Sequence, residues 1–491
     1  MAIPSLEDFK RMASQGNLIP VYEEVHFDWE TPISAFRKID EGPFSFLLES
    51  AEGGEKWGRY SFLGSNPSYI FRSKGDTFEI LKGGEVLRTG KERDPLHVLE
   101  DFLSHYKPVA YDALPRFFGG AVGYANYDLI RSFERLPELH SLDLHLFDCY
   151  FIVTDTLLVF DNVKHKIKVF ANVFIDGQQP LKDAYQEAED KIRRVVARLQ
   201  RNAPFSSTPK PFASSPFYSN LSKNDFLEMV ERTKGYIQAG DAIQVVLSQR
   251  FSSDLHCEPF DVYRALRSVN PSPYLFYLKM DDTVLLGASP EVMVRLEGGQ
   301  IELRPLAGTR RRGRTQEEDL AMERDLLADE KEKAEHIMLV DLGRNDVGRV
   351  AEIGSVKVTE LMGVERYSHV MHIVSNIQGS LDTGKNAFDV FRAAFPAGTV
   401  SGSPKIRAME IIEELEPMRR GPYAGAVGYF SFSGNMDTCI TIRSILIKDG
   451  KAYVQAGAGI VADSDPEKEY EETLNKAQAV FKAIQQAEEG L

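Results

Sequence analysis

Strand-like and helix-like stretches follow one another here without a regular strand–helix–strand rhythm, and that irregularity most limits what the chain can fold into. A doubly wound parallel sheet needs a crossover helix after nearly every strand. Instead PFSFLLES (43–50), DTFEILKGGEVLRTG (76–90) and DTLLVFDNVKHKIKVFANVF (155–174) succeed one another as strands, with hairpin-like turns at KGGE and DNVKH. Helical patterns lie elsewhere. They cover PLKDAYQEAEDKIRRVVARLQ (180–200), DFLEMVERTKGYIQAGD to about Gly240, one long run from Thr315 with capping-box partner Glu318, and a last helix from Asp465-Pro466. Strands return in AIQVVLSQRF, YAGAVGYFSF, DTCITIRSILI and KAYVQAGAGIV. The pattern predicts an α+β fold with mainly antiparallel sheet.

The Ser/Pro-rich stretch QRNAPFSSTPKPFASSPF (200–217) reads as a linker between two patterned regions, 1–200 and 217–491, with the linker itself at 201–216. No internal repeat is evident. A net charge of −15 argues against a nucleic-acid partner, which would need clustered Lys and Arg. Cys149, Cys257 and Cys439 make neither a disulfide framework nor a zinc spacing. With a polar N-terminus and no apolar run of membrane-spanning length, a soluble, cytoplasmic protein is expected.

Several stretches invite chemistry. In AFPAGTVSGSPKIRAMEIIEELEP (394–417) a Gly/Ser-rich loop leads into an amphipathic helix, with Ser403 as the expected N-cap and Pro404 in the first turn. Gly398 and Gly402 would let backbone approach an anion, with Lys405 and Arg407 close by; an ordinary capped turn is the alternative. Two acidic helices carry Glu330, Glu332 and Glu335, and Glu469 and Glu472; their hard oxygens suit Mg²⁺, or they form solvated charged faces. Alternation along DTCITIRSILI puts Thr441 and Arg443 on one face, where the Arg could hold a carboxylate or lie at the surface. The glycines of QAGAGI (455–460) suggest a bulge or a close approach. His372 in an apolar run is either a buried structural histidine or a catalytic one. GGAVGY (119–124) is too loose a match to a phosphate fingerprint to use.

Taken in order, ASPEVMV, RPLAGTRRRG, EHIMLVDLGRNDVGR, RYSHVMHIVS, AFPAGTVSGSPKIRAMEII, GPYAGAVGY, ITIRS, AGAGIV and EYEETLNKA closely resemble the chorismate-utilising enzymes over about residues 217–488. The resemblance implies antiparallel sheets packed as a sandwich with helices outside. It implies Mg²⁺ on Glu335 and Glu472, with Glu469 in support. Chorismate would contact Gly308, Thr309, Tyr423, Arg443, Gly457, Ala458 and Gly459, with Lys476 nearby and Thr399 facing it. Glu291 matches a general acid for loss of the C4 hydroxyl, and His372 a histidine tied to pyruvate elimination.

Within the family the pattern resembles large subunits of anthranilate synthases. Ala307 stands where aminodeoxychorismate synthases commonly carry a nucleophilic Lys, and Gln244 where isochorismate and salicylate synthases carry a Lys that activates water. An aminodeoxychorismate synthase, or a non-catalytic amino-acid-binding regulator on the same scaffold, are the alternatives. FLLES and NPSPYLFY match a tryptophan feedback site, with Ser50, Pro273, Tyr274 and Leu275 as contacts in a regulatory N-terminal region. No stretch resembles a glutamine amidotransferase, so ammonia from glutamine is expected to come from a partner glutaminase subunit.

Overall fold

The computed structural model describes residues 2–490 except 27–28, 51–57, 112–113, 141–142, 202–214 and 368–369, so most of the expected linker lies outside the described residues. The N-terminal half supplies β1 (Leu18–Val25), β2 (Phe44–Glu49), β3 (Tyr60–Ser65), β4 (Tyr69–Lys74), β5 (Thr77–Lys82), β6 (Glu85–Lys91), β7 (Gly120–Ala125), β8 (Cys149–Thr154), β9 (Thr156–Asp161) and β10 (Lys166–Phe174). The C-terminal half adds β11 (Tyr218–Ser219), β12 (Gln244–Asp254), β13 (Tyr274–Met280), β14 (Thr283–Ser289), β15 (Val292–Glu297), β16 (Gln300–Leu303) and β17 (Leu306–Arg311). It ends with β18 (Lys357–Arg366), β19 (Val370–Ser380), β20 (Gly402–Ser403), β21 (Ala426–Ser431), β22 (Met436–Ile440), β23 (Ser444–Lys448) and β24 (Lys451–Ile460).

These strands form two large antiparallel sheets. The first runs β1-β10-β9-β3-β2-β13-β14-β23-β24-β12-β11, with β20 against β12. The second runs β17-β19-β16-β15-β22-β21-β7-β8-β4-β5-β6, with β18 against β19. Alternation sorts the side chains. Phe46, Phe62, Phe276 and Leu278 of the first sheet meet Phe71, Val122, Val427 and Tyr429 of the second in one core. Their neighbours Leu47, Leu63, Leu275 and Tyr277 point the other way, into a second core. That core is closed by α1 (Leu6–Met12), α2 (Pro32–Ile39), α4 (Leu181–Leu199), α6 (Pro259–Val269) and α12 (Pro466–Glu489). In the chain between them lie α3 (Pro95–Ser104) and α5 (Lys223–Gln238). The expected sandwich with outer helices is what forms.

Read outward from the middle, each sheet repeats itself. β2, β3, β9, β10 and β1 on one side of the first sheet answer β13, β14, β23, β24 and β12 on the other. In the second, β7, β8, β4, β5 and β6 answer β21, β22, β15, β16 and β19. The centres fall where Leu47 pairs with Tyr277 and Gly123 with Gly428. Contrary to the expectation of no internal repeat, the sequence carries a trace of it: GAVGY occurs at both 120–124 and 425–429, and Gly-x-x-Pro at 64–67 and 287–290. Each first glycine of that second pair lies under a ring on the neighbouring strand, Gly64 under Phe46 and Gly287 under Phe276. The half-loose fingerprint GGAVGY is thus central strand, not a phosphate loop.

The long helix expected from Thr315 is broken. Asp329 separates α7 (Gln316–Ala328) from α8 (Glu330–Gly348) and caps the second, accepting from the amides of Lys331 and Glu332 at 3.0 and 3.2 Å. Thr315 does cap α7, but Glu318 does not complete the box; its carboxylate accepts instead from the Arg314 amide at 2.8 Å.

Candidate active site

Two short crossovers carry the chain between the sheets side by side. β14 hands over to β15 through Pro290-Glu291, and β22 returns to β23 through residues 441–443. They are laced together: the Ile440 amide donates to the Glu291 carbonyl and the Ala288 amide to the Arg443 carbonyl, both at 3.1 Å. DTCITIRSILI is therefore not the single alternating strand expected from its pattern, because Ile440 ends a strand of one sheet and Ser444 begins a strand of the other. Arg443 takes a φ of +52°, left-handed backbone that a side-chain-bearing residue adopts only under tertiary constraint. Its side chain is half-buried, and the guanidinium donates to the Lys476 carbonyl. Burial pulls its pKa down while Tyr423 and Glu472 hold it up. A desolvated guanidinium with unspent donors is a receptor for carboxylate.

Glu291 is 5% exposed, and among the described residues no cation stands beside it. The Thr399 hydroxyl donates to its carboxyl at 2.8 Å, and the Leu306 amide also donates to it. Burial outweighs both and pushes the carboxyl up to about 8, so it carries a proton at neutral pH. Thr399 reaches it from a one-turn helix, α10 (Gly398–Ser401). Residues 398–403 are accordingly less loop-like than expected: Gly402 and Ser403 pair with Val245 and Gln244 of β12. A Cβ at Gly402 would lie 2.2 Å from the Gln244 carbonyl oxygen, so this glycine admits a strand and not a ligand. The following helix, α11 (Lys405–Leu415), starts one residue later than expected, on Pro404, with no side-chain cap from Ser403. Lys405 pairs with Asp346 of α8 at 2.9 Å, and Arg407 with Asp241, Glu410 and Glu414. Both cations are thus spent within the protein.

His372 on β19 lies across from Thr309 on β17. Its Nδ1 is 3.0 Å from the Gly308 carbonyl and 3.1 Å from the Thr309 hydroxyl. A carbonyl can only accept, so Nδ1 carries the proton and Nε2 keeps its lone pair. Burial lowers the ring's pKa and keeps it neutral. Opposite, β24 brings Gly457, Ala458 and Gly459. A Cβ at Gly457 would sit 2.6 Å from both the Leu247 carbonyl oxygen and the Tyr423 hydroxyl, and one at Gly459 2.2 Å from Gln244 Nε2, so the first glycine answers to a neighbouring strand and a side chain and the second to a side chain. The Lys476 ammonium donates to the Gly457 carbonyl at 3.0 Å and pairs with Glu472 at 2.6 Å.

Acid gathers where α8 and α12 begin. Glu335 accepts from Gln244 Nε2 at 3.2 Å, and the buried amide oxygen of Gln244 has no hydrogen-bond partner among the described residues. Burial raises the carboxyl of Glu469, the Ser464 hydroxyl opposes it, and the charge of Glu472 raises it further. Glu332 is raised by burial and then by Glu335. Among the described residues no three His, Cys, Asp or Glu side chains are gathered closely enough to hold a metal unaided. Mg²⁺ typically asks for less, one or two carboxylates with water and substrate oxygens completing its shell, and this all-oxygen, like-charged set fits it.

The four residues matched to a feedback site also come together. Ser50, Pro273, Tyr274 and Leu275 line one partly open cavity of about 50 Å³, at the seam where β2 meets β13. Its polar wall adds three residues the sequence did not single out: Tyr274 donates to Asp437 at 2.8 Å, Arg295 Nε donates to Asp437 at 3.0 Å, and Arg116 stands 3.7 Å from it. Arg116, Arg295 and Asp437 are far apart in the chain and come together only when the strands pair.

The family described as chorismate binding enzyme matches residues 45–482. The anthranilate synthase component 1 of Acetivibrio thermocellus is 51% identical over 496 residues, covering 100% of both chains. That of Aquifex aeolicus is also 51% identical, over 99% of this chain and 98% of its own. Among solved structures, anthranilate synthase component I from Streptococcus pneumoniae superposes with a TM-score of 0.78 at 38% identity, over 93% of this chain and 98% of that one. The menaquinone-specific isochorismate synthase of Escherichia coli shares the fold, with a TM-score of 0.72 at 20% identity over 98% of each chain.

Proposed function

Because this chain belongs to the chorismate binding enzyme family, we propose that it is the chorismate-converting subunit of an anthranilate synthase, a Mg²⁺-dependent lyase of tryptophan biosynthesis. Ammonia adds at C2 of chorismate as the C4 hydroxyl leaves, giving 2-amino-2-deoxyisochorismate; loss of pyruvate then makes the ring aromatic. The observation that supports this most is that the two crossovers, joined by backbone hydrogen bonds, carry separately a buried protonated acid, Glu291, and a half-buried guanidinium, Arg443.

Arg443, with Tyr423, Thr309, Lys476 and the backbone at Gly308 and residues 457–459, holds the substrate's carboxylates. Mg²⁺ on Glu335 and Glu472, supported by Glu469, would neutralise the ring carboxylate and so let an acidic cleft hold a dianion. Glu291, steadied by Thr399, gives its proton to the departing hydroxyl. His372 Nε2 takes the ring proton lost with pyruvate. Gln244 cannot deprotonate water as a lysine could, which suits ammonia as the nucleophile.

Residues 217–491 then form the catalytic region, and residues 1–200 a sensing region that shares the seam cavity with it. L-Tryptophan is the proposed ligand there, held by Ser50, Pro273, Tyr274 and Leu275. A separate glutaminase subunit supplies ammonia from glutamine, in keeping with the word component in the relatives' names. The purified chain given chorismate, Mg²⁺ and an ammonium salt should form anthranilate. Glutamine should replace ammonium only after a glutaminase subunit is added. Isochorismate, salicylate or aminodeoxychorismate as main product would overturn the assignment.

A further inference from the structure

The seam cavity and the catalytic crossovers share β15 and β22, and β13 of the cavity pairs with β14, which leads into the first crossover. Tyr274, at the start of β13, pairs across to Ser289, the last residue of β14. The Ser289 hydroxyl lies 3.4 Å from the Glu291 amide and 3.3 Å from its carbonyl. Asp437, on β22, precedes Ile440, whose amide donates to the Glu291 carbonyl, and the chain then runs straight into Arg443. Cys439 lines the cavity, pairs with Val292 just beyond Glu291, and its thiol lies against Ser289. At the cavity end β13 and β22 are joined by the Tyr274–Asp437 hydrogen bond of 2.8 Å, braced by Arg295, which reaches the Tyr274 oxygen at 3.3 Å and Asp437 at 2.8 Å.

The contacts therefore close a ring. Tyr274 leads to Ser289, Ser289 to Glu291, Glu291 through Ile440 to Asp437, and Asp437 back to Tyr274. We propose that Tyr274 and Asp437 are positioning residues: their hydrogen bond holds the crossover pair that presents Glu291 and Arg443, and a ligand in the seam cavity acts by disturbing it. The second clause rests on the cavity being the regulatory site; the first does not. Packed, hydrogen-bonded crossovers shift as units between discrete arrangements. A ligand can bias them only if it binds the two arrangements with different affinity.

Tyr274→Phe deletes only the hydroxyl and leaves the ring in place. In the full-length protein without ligands, the amides of Ala288 and Ile440 should then exchange hydrogen at least tenfold faster, while the slow amides of the distant β5–β6 hairpin stay as they were. Uniform acceleration would mean general loss of stability, and no local change would mean an idle bond; either overturns the positioning role. In the wild type, saturating L-tryptophan should change exchange at the same two amides. Tryptophan binding by calorimetry with no change there would overturn the route. No binding at all would instead remove the regulatory reading of the cavity, leaving Tyr274→Phe to decide the positioning claim.

Discussion

The two halves of the chain follow the same path through both sheets, yet only the second carries reactive groups at its crossovers. Where Gly287-Ala288-Ser289-Pro290 leads to Glu291, Gly64-Ser65-Asn66-Pro67 leads to Ser68. Arg443 immediately precedes β23; Asp155 immediately precedes the matching strand β9. Some features are common to both. Glu472–Lys476 on α12 has a counterpart in Glu187–Lys191 on α4, so an i,i+4 ion pair there belongs to the scaffold. In the N-terminal half Lys191 is further neutralised by Asp155 at 3.1 Å, whereas in the C-terminal half Lys476 offers its carbonyl to a second cation. The duplicated backbone supplies adjacent crossovers twice. A few side chains turn one set into a site for a dicarboxylate, and fold and function separate at those positions.

Paired substitutions can break this comparison. The largest contrast is expected for the acid–base groups. Glu291→Gln should lower turnover by roughly 10²–10⁴-fold, the usual worth of a positioned proton donor, while Ser68→Ala at the matching position should leave steady-state rates within about twofold. His372→Ala should cost elimination a similar factor and let the aminated intermediate build up, detectable by mass after rapid quench. If amination and elimination fall together, the histidine has a different role. A smaller contrast is expected among the charged groups. Glu472→Ala should lose roughly 10–100-fold in activity, as when metal shells are disturbed, and demand more Mg²⁺. Its counterpart Glu187→Ala should stay within about 0.5 kcal/mol of wild-type stability, as surface changes do. Equal effects at 472 and 187, measured by Mg²⁺ titration and by melting, would show both pairs to be structural.

The smallest expected effect on turnover sharpens the boundary between the halves. Ser50→Phe adds a ring to the seam cavity, which cannot also admit an indole-bearing ligand. Tryptophan inhibition should disappear from an enzyme that still forms anthranilate, read by a tryptophan titration alongside calorimetry. Unchanged inhibition would move the regulatory site elsewhere.

Strand and helix content, antiparallel order and outer helices were legible because period-2 and period-3.6 patterns report local burial directly. What stayed hidden was long-range. The pattern of DTCITIRSILI is continuous across residues 441–443 because both flanking strands are buried, so nothing in it marks a change of sheet or the left-handed Arg443. Lys405 and Arg407 look like ligand groups beside a flexible loop until Asp346 and Asp241, from other segments, are seen to neutralise them. The family motifs single out Glu291, Thr399, Arg443, Glu335 and Glu472 as candidates, but they do not show the surroundings of these side chains. Burial of Glu291 and the Gln244 bond to Glu335 exist only in the folded chain. The tandem nature of the fold survives in the sequence as GAVGY and Gly-x-x-Pro, too short to see before the strands are paired.

One measurement goes to the centre of the account, that the crossover in the C-terminal half holds a protonated acid. Glu291 sits well above the usual carboxylate range, at about 8, because burial disfavours its charged form. The proton-bearing state is the donor, so turnover with free ammonia held constant and saturating should be level below that pH and fall as pH rises through it. In Glu291→Gln, whose amide does not titrate, the residual rate should lack that falling limb. A limb near pH 8 that survives in Glu291→Gln, or wild-type turnover that climbs through pH 8, would contradict the assignment of Glu291 as the acid.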